Sequence, residues 1–254
     1  MKEKDFYEEI KDWNFDEFQI ETEEFTNWDM FEILKSVTNE NSRILDLGTG
    51  GGEKVIRFFP EYAKEIIATD FSKAMIETAN ENLKKSGRKN ITFKMMDNLH
   101  MDVPKEYFDV VVARNTPSCP KQIYECLKQG GYLIIHGVDQ YDCHNLKKLY
   151  GKGQAYDDIM PISIIDYNAV IEAGFKNAEL VPLHEREYFK NEDLLYKFLL
   201  KVPILDEFSE EDGDVKDYYL KELDREKLHQ YVLENTFEKG IRLIRRYYGI
   251  TAKK

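Results

Sequence analysis

The middle of the chain alternates short apolar runs with segments whose apolar residues recur at helical spacing. The apolar runs are SRILDLG, EIIATD, NITFKMMD, YFDVVVARN and GYLIIHGVD, and between them lie EKVIRFFPEYA, SKAMIETANENLKKSG and CPKQIYECLKQG. Ser72 and Gly87 mark the start and end of the second helical segment, and Gly130 ends the third. Short strands that alternate with helices predict a parallel sheet with helices on both faces.

The pattern is less regular on both sides of this region. Thr26, with Asp29 three residues later, predicts a helix start, so residues 1–41 are expected to form a helical N-terminal arm. The stretch HNLKKLYGKGQAYDDIMPIS predicts an irregular segment, and IRLIRRYYGITAKK predicts a late strand. Residues 190–238 predict a helical insertion that acts as a lid. Residues 42–189 and 239–254 then form the core.

Charge and cysteine usage narrow the class of protein. The formal net charge is −12, and residues 1–32 carry three lysines against twelve carboxylates. This balance disfavours a nucleic-acid partner, because such affinity comes largely from cationic side chains. Three cysteines without a CxxC motif suit the reducing cytoplasm, and the five histidines lack metal-ligand spacing, so we expect no metal. No apolar run is long enough for a transmembrane helix. The oligomeric state stays open.

Four polar stretches fall at the predicted carboxyl ends of strands. They are Gly48–Gly52, Asp70, Asp97–Asn98 and Arg114–Asn115. Open parallel sheets bind ligands at this edge, so these stretches predict one shared site.

The first stretch, ILDLGTGGGE, resembles a dinucleotide-binding loop only in part. Gly48 and Gly50 fit the pattern GxGxxG, but Glu53 stands at the third glycine position and Asp46 precedes the loop. Two carboxylates would repel a pyrophosphate and attract an ammonium group. The loop therefore favours S-adenosylmethionine, which has an amino-acid tail and no phosphate.

The remaining polar positions match other parts of that ligand. Asp46 is expected near the ammonium group, Asp70 near both ribose hydroxyls, and Asp97 near the adenine amino group. The Asn98 backbone is expected beside the adenine ring, and Phe71 and Met75 against the adenosine. Packing in the core is the alternative for the last two.

Taken in order, ILDLGTGGGE, ATDFSKAMIETA, ITFKMMDNLHM, YFDVVVARN and LKQGGYLIIHGV resemble the motifs of class I S-adenosylmethionine-dependent methyltransferases. They are most similar to the small-molecule branch related to ubiquinone and menaquinone biosynthesis. The resemblance implies a Rossmann-like α/β fold, a seven-stranded mixed sheet of order 3-2-1-4-5-7-6 whose last strand is antiparallel. The cofactor residues that it implies are Asp46, Gly48, Thr49, Gly50, Asp70, Phe71, Met75, Asp97, Asn98 and Arg114.

The acceptor side is less specific. The loop ARNTPSCP lacks the (D/N)PP(Y/F) motif of enzymes that methylate amino groups of DNA bases or protein glutamine, which counts against those substrates, and a small-molecule acceptor is the prediction. Asn115 and His136 are the catalytic candidates; a loop cap and a buried core histidine are their structural alternatives. The alternative functions are an RNA or protein methyltransferase, a nicotinamide-dependent oxidoreductase, or a non-catalytic S-adenosylmethionine-binding protein.

Overall fold

The computed structural model of the protein describes residues 15–206 and 223–254. Its strands are β1 (Glu21–Glu24), β2 (Arg43–Leu47), β3 (Glu65–Asp70), β4 (Ile91–Met95), β5 (Phe108–Arg114), β6 (Leu127–Val138), β7 (Lys176–Phe189), β8 (Thr236–Phe237) and β9 (Gly240–Lys253). Its α-helices are α1 (Met30–Ser36), α2 (Glu53–Phe58), α3 (Lys73–Ser86), α4 (Pro120–Cys126), α5 (His144–Tyr150), α6 (Ile162–Glu172), α7 (Glu192–Lys201) and α8 (Arg225–Asn235). A 3-10 turn spans Asp16–Phe18.

The strands form one mixed sheet in the order β1-β7-β9-β6-β5-β2-β3-β4, and β8 pairs with β9 outside this path. Neighbours from β4 to β6 are parallel, whereas β9 is antiparallel to both β6 and β7. The prediction of seven strands is wrong, since nine are present in the described residues and the order of the whole sheet differs. Without β1 and β8, the order from β4 to β7 is 3-2-1-4-5-7-6.

Strand β1 lies in the arm that was predicted to be helical. Its sequence ETEE contains no apolar residue, so no hydrophobic pattern could reveal it. It pairs antiparallel with β7, with Glu21 opposite Tyr188 and Glu24 opposite Glu185. Charged side chains on such an edge strand prevent pairing with another chain.

The central strands are apolar on both faces because each face supports a separate core. Ile44, Val110 and Val112 pack under the helices of one face, while Leu45 and Val111 pack under the helices of the other, and all five are 0% exposed. Burial of each such side chain contributes about 1.5–3 kcal/mol. The two-sided packing leaves only the ends of the strands for polar chemistry.

Several helix boundaries differ from the predictions. Helix α3 is confirmed between the Ser72 cap and Gly87, but α1 begins after Asp29, whose carboxylate accepts hydrogen bonds from two backbone N–H groups. Helix α4 ends at Cys126, and Gly130 lies within β6 with a φ of 81°. The segment predicted to be irregular contains α5, which begins at His144.

A third core joins the insertion to both ends of the chain. Leu195, Leu199 and Leu228 from α7 and α8 pack with Leu146 of α5 and with Phe18. Residues 207–222 of the predicted insertion lie outside the described residues. The described part is a packed wall of the fold, and its action as a lid stays a prediction.

Candidate functional site

A cavity of about 790 Å³ opens at the carboxyl ends of the parallel strands. The glycine loop after β2 and the ends of β3, β5 and β6 line one part, and the N-terminal arm, β7, β9 and the third core line the rest. Ligand pockets occupy roughly 300–1,000 Å³, so this volume lies in the upper part of that range.

The loop after β2 has a backbone conformation that favours glycine at three positions. Gly48, Gly50 and Gly52 have φ values of 77°, 57° and 78°, which favour glycine. A Cβ atom on Gly48 would lie 2.6 Å from the Cβ atom of Thr116 in the loop after β5. The Gly48 and Thr49 N–H groups both donate to the Thr69 carbonyl at 2.9 Å. The loop is therefore fixed against its neighbours and presents backbone to the cavity.

Three polar groups around this loop lack a close hydrogen bond. Both carboxylate oxygens of Asp46, the Thr49 hydroxyl and the Arg114 Nε form no hydrogen bond of 3.5 Å or less, although Asp46 is 0% and Thr49 1% exposed and both Thr49 and Arg114 lie near enough to Asp46 to lower its pKa. Thr49 and Arg114 line the cavity, while Asp46 lies outside its lining. Burial raises the pKa of Asp46 to about 7, although Arg114 favours the ionised form. Unpaired buried groups of both signs suit a ligand that carries a cation and an anion.

Asp70 fixes the loop and also faces the cavity. One of its carboxylate oxygens accepts from the Gly50 N–H at 2.8 Å and the other from the Ser72 N–H at 3.0 Å. Burial raises the pKa of Asp70, and the backbone hydrogen bonds oppose this shift. Each oxygen keeps a lone pair, so hydroxyl groups of a ligand can still donate to it. Phe71 lines the cavity beside it.

Six of the ten predicted cofactor residues line the cavity, namely Gly48, Thr49, Gly50, Asp70, Phe71 and Arg114. Besides Asp46, three lie outside its lining. Met75 is 0% exposed within the fold. Asn98 links Thr69 and Thr116 through hydrogen bonds of 3.2 and 3.0 Å. Asp97 is exposed, and its hydrogen bond to His100 lowers its pKa.

Asn115 and His136 meet at the ends of β5 and β6. The His136 Nδ1 lies 2.9 Å from the Asn115 Oδ1, and the Asn115 N–H donates to the His136 carbonyl at 2.8 Å. Since Oδ1 only accepts, Nδ1 carries the proton and Nε2 keeps its lone pair. Burial lowers the pKa of His136 to about 4, and Arg114 adds to this shift. His136 is therefore neutral at physiological pH and is a weak base.

Sequence patterns did not reveal the cavity wall opposite the glycine loop. The wall contains Glu24, Glu185, Glu187, Arg245 and Tyr247, together with Trp28 of the arm. The stretch LHEREYF did contain a signal. Every second residue of a strand lies on the same face, so Glu185 and Glu187 share a face with Leu183 and Phe189, which are both buried. Two carboxylates between buried apolar residues indicate a polar cavity wall rather than a solvated face.

Residues 15–206 and 223–254 contain neither a candidate membrane span nor a candidate metal site. None of the helices in these ranges has the length and apolar character that crossing a membrane requires. Within the same ranges, no three His, Cys, Asp or Glu residues are grouped so that they would hold a metal ion.

Part of the chain is similar in sequence to known methyltransferases. It is 31% identical over 109 residues to the ribosomal protein L11 methyltransferase of Listeria innocua, covering 41% of this chain and 35% of that protein. It is 31% identical over 107 residues to the protein-L-isoaspartate O-methyltransferase of Pyrococcus abyssi, covering 42% and 49%. The chain thus spans about a third of the first relative and about half of the second.

Fold and family comparisons extend further along the chain. The solved structure of a proposed methyltransferase from Bacillus halodurans superposes with a TM-score of 0.57 at 20% identity, covering 89% of this chain and 98% of the other, which shows the shared fold. The family model for a methyltransferase domain matches residues 38–185, more than half of the 254 residues. The chain therefore belongs to the methyltransferase domain family.

Proposed function

We propose that this protein transfers a methyl group from S-adenosylmethionine to a small-molecule acceptor. The observation that carries the proposal is the set of unpaired buried groups around the glycine loop, Asp46, Thr49 and Arg114, in a chain of this family. When bound, S-adenosylmethionine supplies an electrophilic methyl group on a sulfonium. The chain's own task is then to hold that ligand and to align an acceptor with it.

The residues present fit this ligand in charge. Asp46 and the Thr49 hydroxyl suit the ammonium group, and Arg114 suits the carboxylate of the amino-acid tail. Asp70 suits the ribose hydroxyls, and Phe71 offers an apolar face to the adenosine. The Asn98 backbone and the Met75 and Asp97 side chains remain predicted contacts, although their side chains lie outside the cavity lining.

The same charges argue against a dinucleotide. Asp46 is buried beside the loop. The Glu53 carboxylate lies close to Gly51, because a Cβ atom added at Gly51 would be 2.5 Å from the Glu53 Oε1. A pyrophosphate placed there would face these carboxylates in a partly desolvated site. A nicotinamide-dependent oxidoreductase is for this reason the weaker proposal, and a non-catalytic S-adenosylmethionine-binding protein is the remaining alternative.

We assign Asn115 and His136 to the alignment of the acceptor. Asn115 fixes the His136 ring through Nδ1, so the neutral Nε2 can accept a hydrogen bond from an acceptor group. The lowered pKa of about 4 makes this positioning role more suitable than that of a strong general base.

A small-molecule acceptor fits the dimensions and charge of the cavity. The net charge of −12 disfavours RNA, and membership of the branch related to ubiquinone and menaquinone biosynthesis is part of this proposal. The similarity to ribosomal protein L11 methyltransferases favours a protein acceptor as the second candidate. We further propose a cytoplasmic protein with an arm at residues 1–41, a core at 42–189 and 239–254, and a lid at 190–238.

Calorimetry with the product S-adenosylhomocysteine tests the proposal directly. We expect wild-type protein to bind it, and Asp70→Ala to weaken binding by about tenfold, because a charge-assisted hydrogen bond contributes roughly 1.5–3 kcal/mol. Asp97→Ala tests the predicted adenine contact, and Asp109→Ala is the matched control, since Asp109 lies at the start of β5 and binds Lys128 at 2.8 Å. Thermal unfolding without ligand checks that the Asp70→Ala loop stays folded.

Each outcome has a distinct meaning. No binding by wild-type protein contradicts the proposed cofactor, and tight binding of NADH supports the oxidoreductase instead. If Asp70→Ala binds as well as wild type, the assignment of Asp70 to the ribose is wrong. A larger loss in Asp97→Ala than in Asp70→Ala would reverse the two roles.

A further inference from the structure

We infer that the acceptor is held through an ammonium group by the carboxylates of Glu24 and Glu185 on the cavity wall. This assignment rests on the proposed function, because it treats the remainder of the cavity as the acceptor site. It names the chemical class of the acceptor, a small amine that is protonated in water.

The cavity is marked as a ligand site independently of its acidic wall. Thr49 lines it, is 1% exposed, and has a hydroxyl that forms no hydrogen bond of 3.5 Å or less, with the Asp46 carboxylate as its polar neighbour. A buried hydroxyl in this state costs about 1–3 kcal/mol unless a ligand or water satisfies it. The glycine loop occupies that end of the cavity, and the wall formed by β1, β7 and β9 belongs to the same continuous space.

Strand register places two carboxylates directly opposite each other on this wall. Glu24 of β1 is the partner of Glu185 of β7, and both line the cavity. Directly opposite residues in an antiparallel pair have Cβ atoms about 5 Å apart, and like charges there are destabilising. Glu24 is exposed, so solvent screens part of this repulsion, and a bound cation would remove the remainder.

The nearby cations are already engaged. Arg245, which faces Glu185 from β9, donates from Nε to Asp142 at 2.9 Å and from Nη1 to Glu187 at 3.0 Å. Lys147 donates from Nζ to two backbone carbonyl groups at 2.9 and 2.8 Å. Among the described residues, neither Glu24 nor Glu185 forms an ion pair or a side-chain hydrogen bond. Arg245 favours the ionised form of Glu185 without forming an ion pair with it, so a cationic ligand would supply the missing ion pair.

The outer face of the same strands shows the contrasting arrangement. There, Glu21 and Glu23 bind Lys239 at 2.9 and 2.7 Å, and Glu23 also lies 3.7 Å from Arg186. The sequence thus supplies cations to carboxylates on the outer face and leaves the pair on the cavity face unneutralised. This difference indicates that the unpaired charge belongs to the cavity.

The charges that face Glu185 agree with a cationic ligand. Burial raises the pKa of Glu185 to about 7, Glu187, Glu24 and Asp142 add to the shift, and Arg245 opposes it. A bound ammonium group would stabilise the ionised carboxylate and lower this pKa. Binding should therefore release a proton near pH 7 and weaken as the pH falls below 7.

Aromatic side chains on the rest of the wall suit the carbon skeleton of an amine. The His136 ring centroid lies 6.4 Å from that of Trp28 and 5.1 Å from that of Tyr247, so three rings line this part of the cavity. Aromatic faces attract ammonium groups and pack well against carbon chains. Over the whole cavity, eight carboxylates stand against four Lys and Arg side chains, which disfavours an anionic acceptor.

The test uses pairs of probes that share a carbon skeleton and differ in charge. The pairs are phenethylamine with hydrocinnamate, cyclohexylmethylamine with cyclohexylacetate, and butylamine with pentanoate, each titrated by NMR into protein saturated with S-adenosylhomocysteine. We expect at least one amine to bind about tenfold more tightly than its carboxylate, as charge attraction in a partly buried site predicts. In Glu24→Gln/Glu185→Gln the preference should fall below roughly threefold.

Glu23→Gln is the matched control, because its carboxylate lies on the outer face of β1, and it should keep the full preference. The proposal is overturned if neither series binds, if the carboxylates bind as well as the amines, or if the double variant keeps the preference. S-adenosylhomocysteine binding is measured first in every variant. Its absence in wild type contradicts the proposed function, whereas its presence without amine preference contradicts only this inference. Its retention in the double variant shows that the site is folded.

Discussion

The two ends of the cavity are built in different ways. At the donor end, the groups around the glycine loop come from β2, β3 and β5, at strand ends that follow one another along the chain. At the acceptor end, Glu24, Glu185 and Arg245 come from β1, β7 and β9, which are distant in sequence and adjacent only in the sheet. Both ends leave charged groups unpaired, but the donor end offers both signs and the acceptor end an excess of one.

This difference indicates what each end recognises. A site with both signs suits a zwitterionic tail, whereas a site with unpaired carboxylates suits a cation. It also indicates that the two ends can vary independently, because substitutions on β1 or β7 leave the glycine loop untouched. Three further variants test the separation, from the largest expected effect to the smallest.

Gly48→Ala should strongly weaken ligand binding at the donor end of the cavity. The new Cβ atom would lie 2.6 Å from Thr116, at a φ of 77°, so the loop has to move. We expect the affinity for S-adenosylhomocysteine to fall about 100-fold, measured by calorimetry. Gly151→Ala is the control, because Gly151 has a φ of 71° and no neighbour within 4 Å of the added atom. Both variants should lose about 1 kcal/mol of stability from backbone strain. Equal affinities in the two variants would contradict the role of the loop.

Asp46→Asn should change stability and binding in opposite directions. The raised pKa of about 7 means that the folded protein holds this proton more tightly than the unfolded chain does. The wild type therefore loses stability as the pH rises from about 4 through 7, and the variant does not. Urea unfolding without ligand should show a difference in favour of the variant that grows by roughly 2–3 kcal/mol between pH 5 and pH 8. The affinity for S-adenosylhomocysteine should fall about tenfold, because the ammonium group loses its charged partner.

Asp109→Asn is the matched control for this change. Asp109 lies at the start of β5, where it binds Lys128 at 2.8 Å and accepts from the Arg43 N–H at 2.8 Å. We expect it to lower stability and to leave ligand affinity unchanged. If Asp46→Asn keeps wild-type affinity, Asp46 does not contact the ammonium group.

Asn115→Gly should have the smallest effect and act at the boundary between the two ends. Glycine adopts the φ of 51° found at this position, so the change removes the side chain without strain. The His136 Nδ1 then loses its partner, and ¹⁵N NMR of the ring should change from one tautomer to a mixture. S-adenosylhomocysteine affinity should change by less than about twofold. A single unchanged tautomer would show that Asn115 does not position the ring.

The sequence by itself determined the donor end. Alternating apolar runs predict β2 to β5, and the glycines with Asp70 and Arg114 fall at strand ends because successive strands share one edge. Local signals also located α3 through Ser72 and Gly87, since capping depends on neighbouring residues. Position along the chain does not determine the direction in which a side chain points. Met75 and Asp97 were therefore predicted to contact the cofactor, but their side chains do not line the cavity.

Only the tertiary structure decided the acceptor end and the outer part of the sheet. Strand β1 is held by hydrogen bonds to β7 across 160 or more residues, and its sequence has no apolar pattern that a local rule can detect. The same pairing sets Glu24 against Glu185, and the β9 register brings Arg245 to Glu187 and Asp142. Whether a carboxylate is neutralised or left for a ligand depends on which distant side chains reach it. That is a property of the folded sheet and not of any segment.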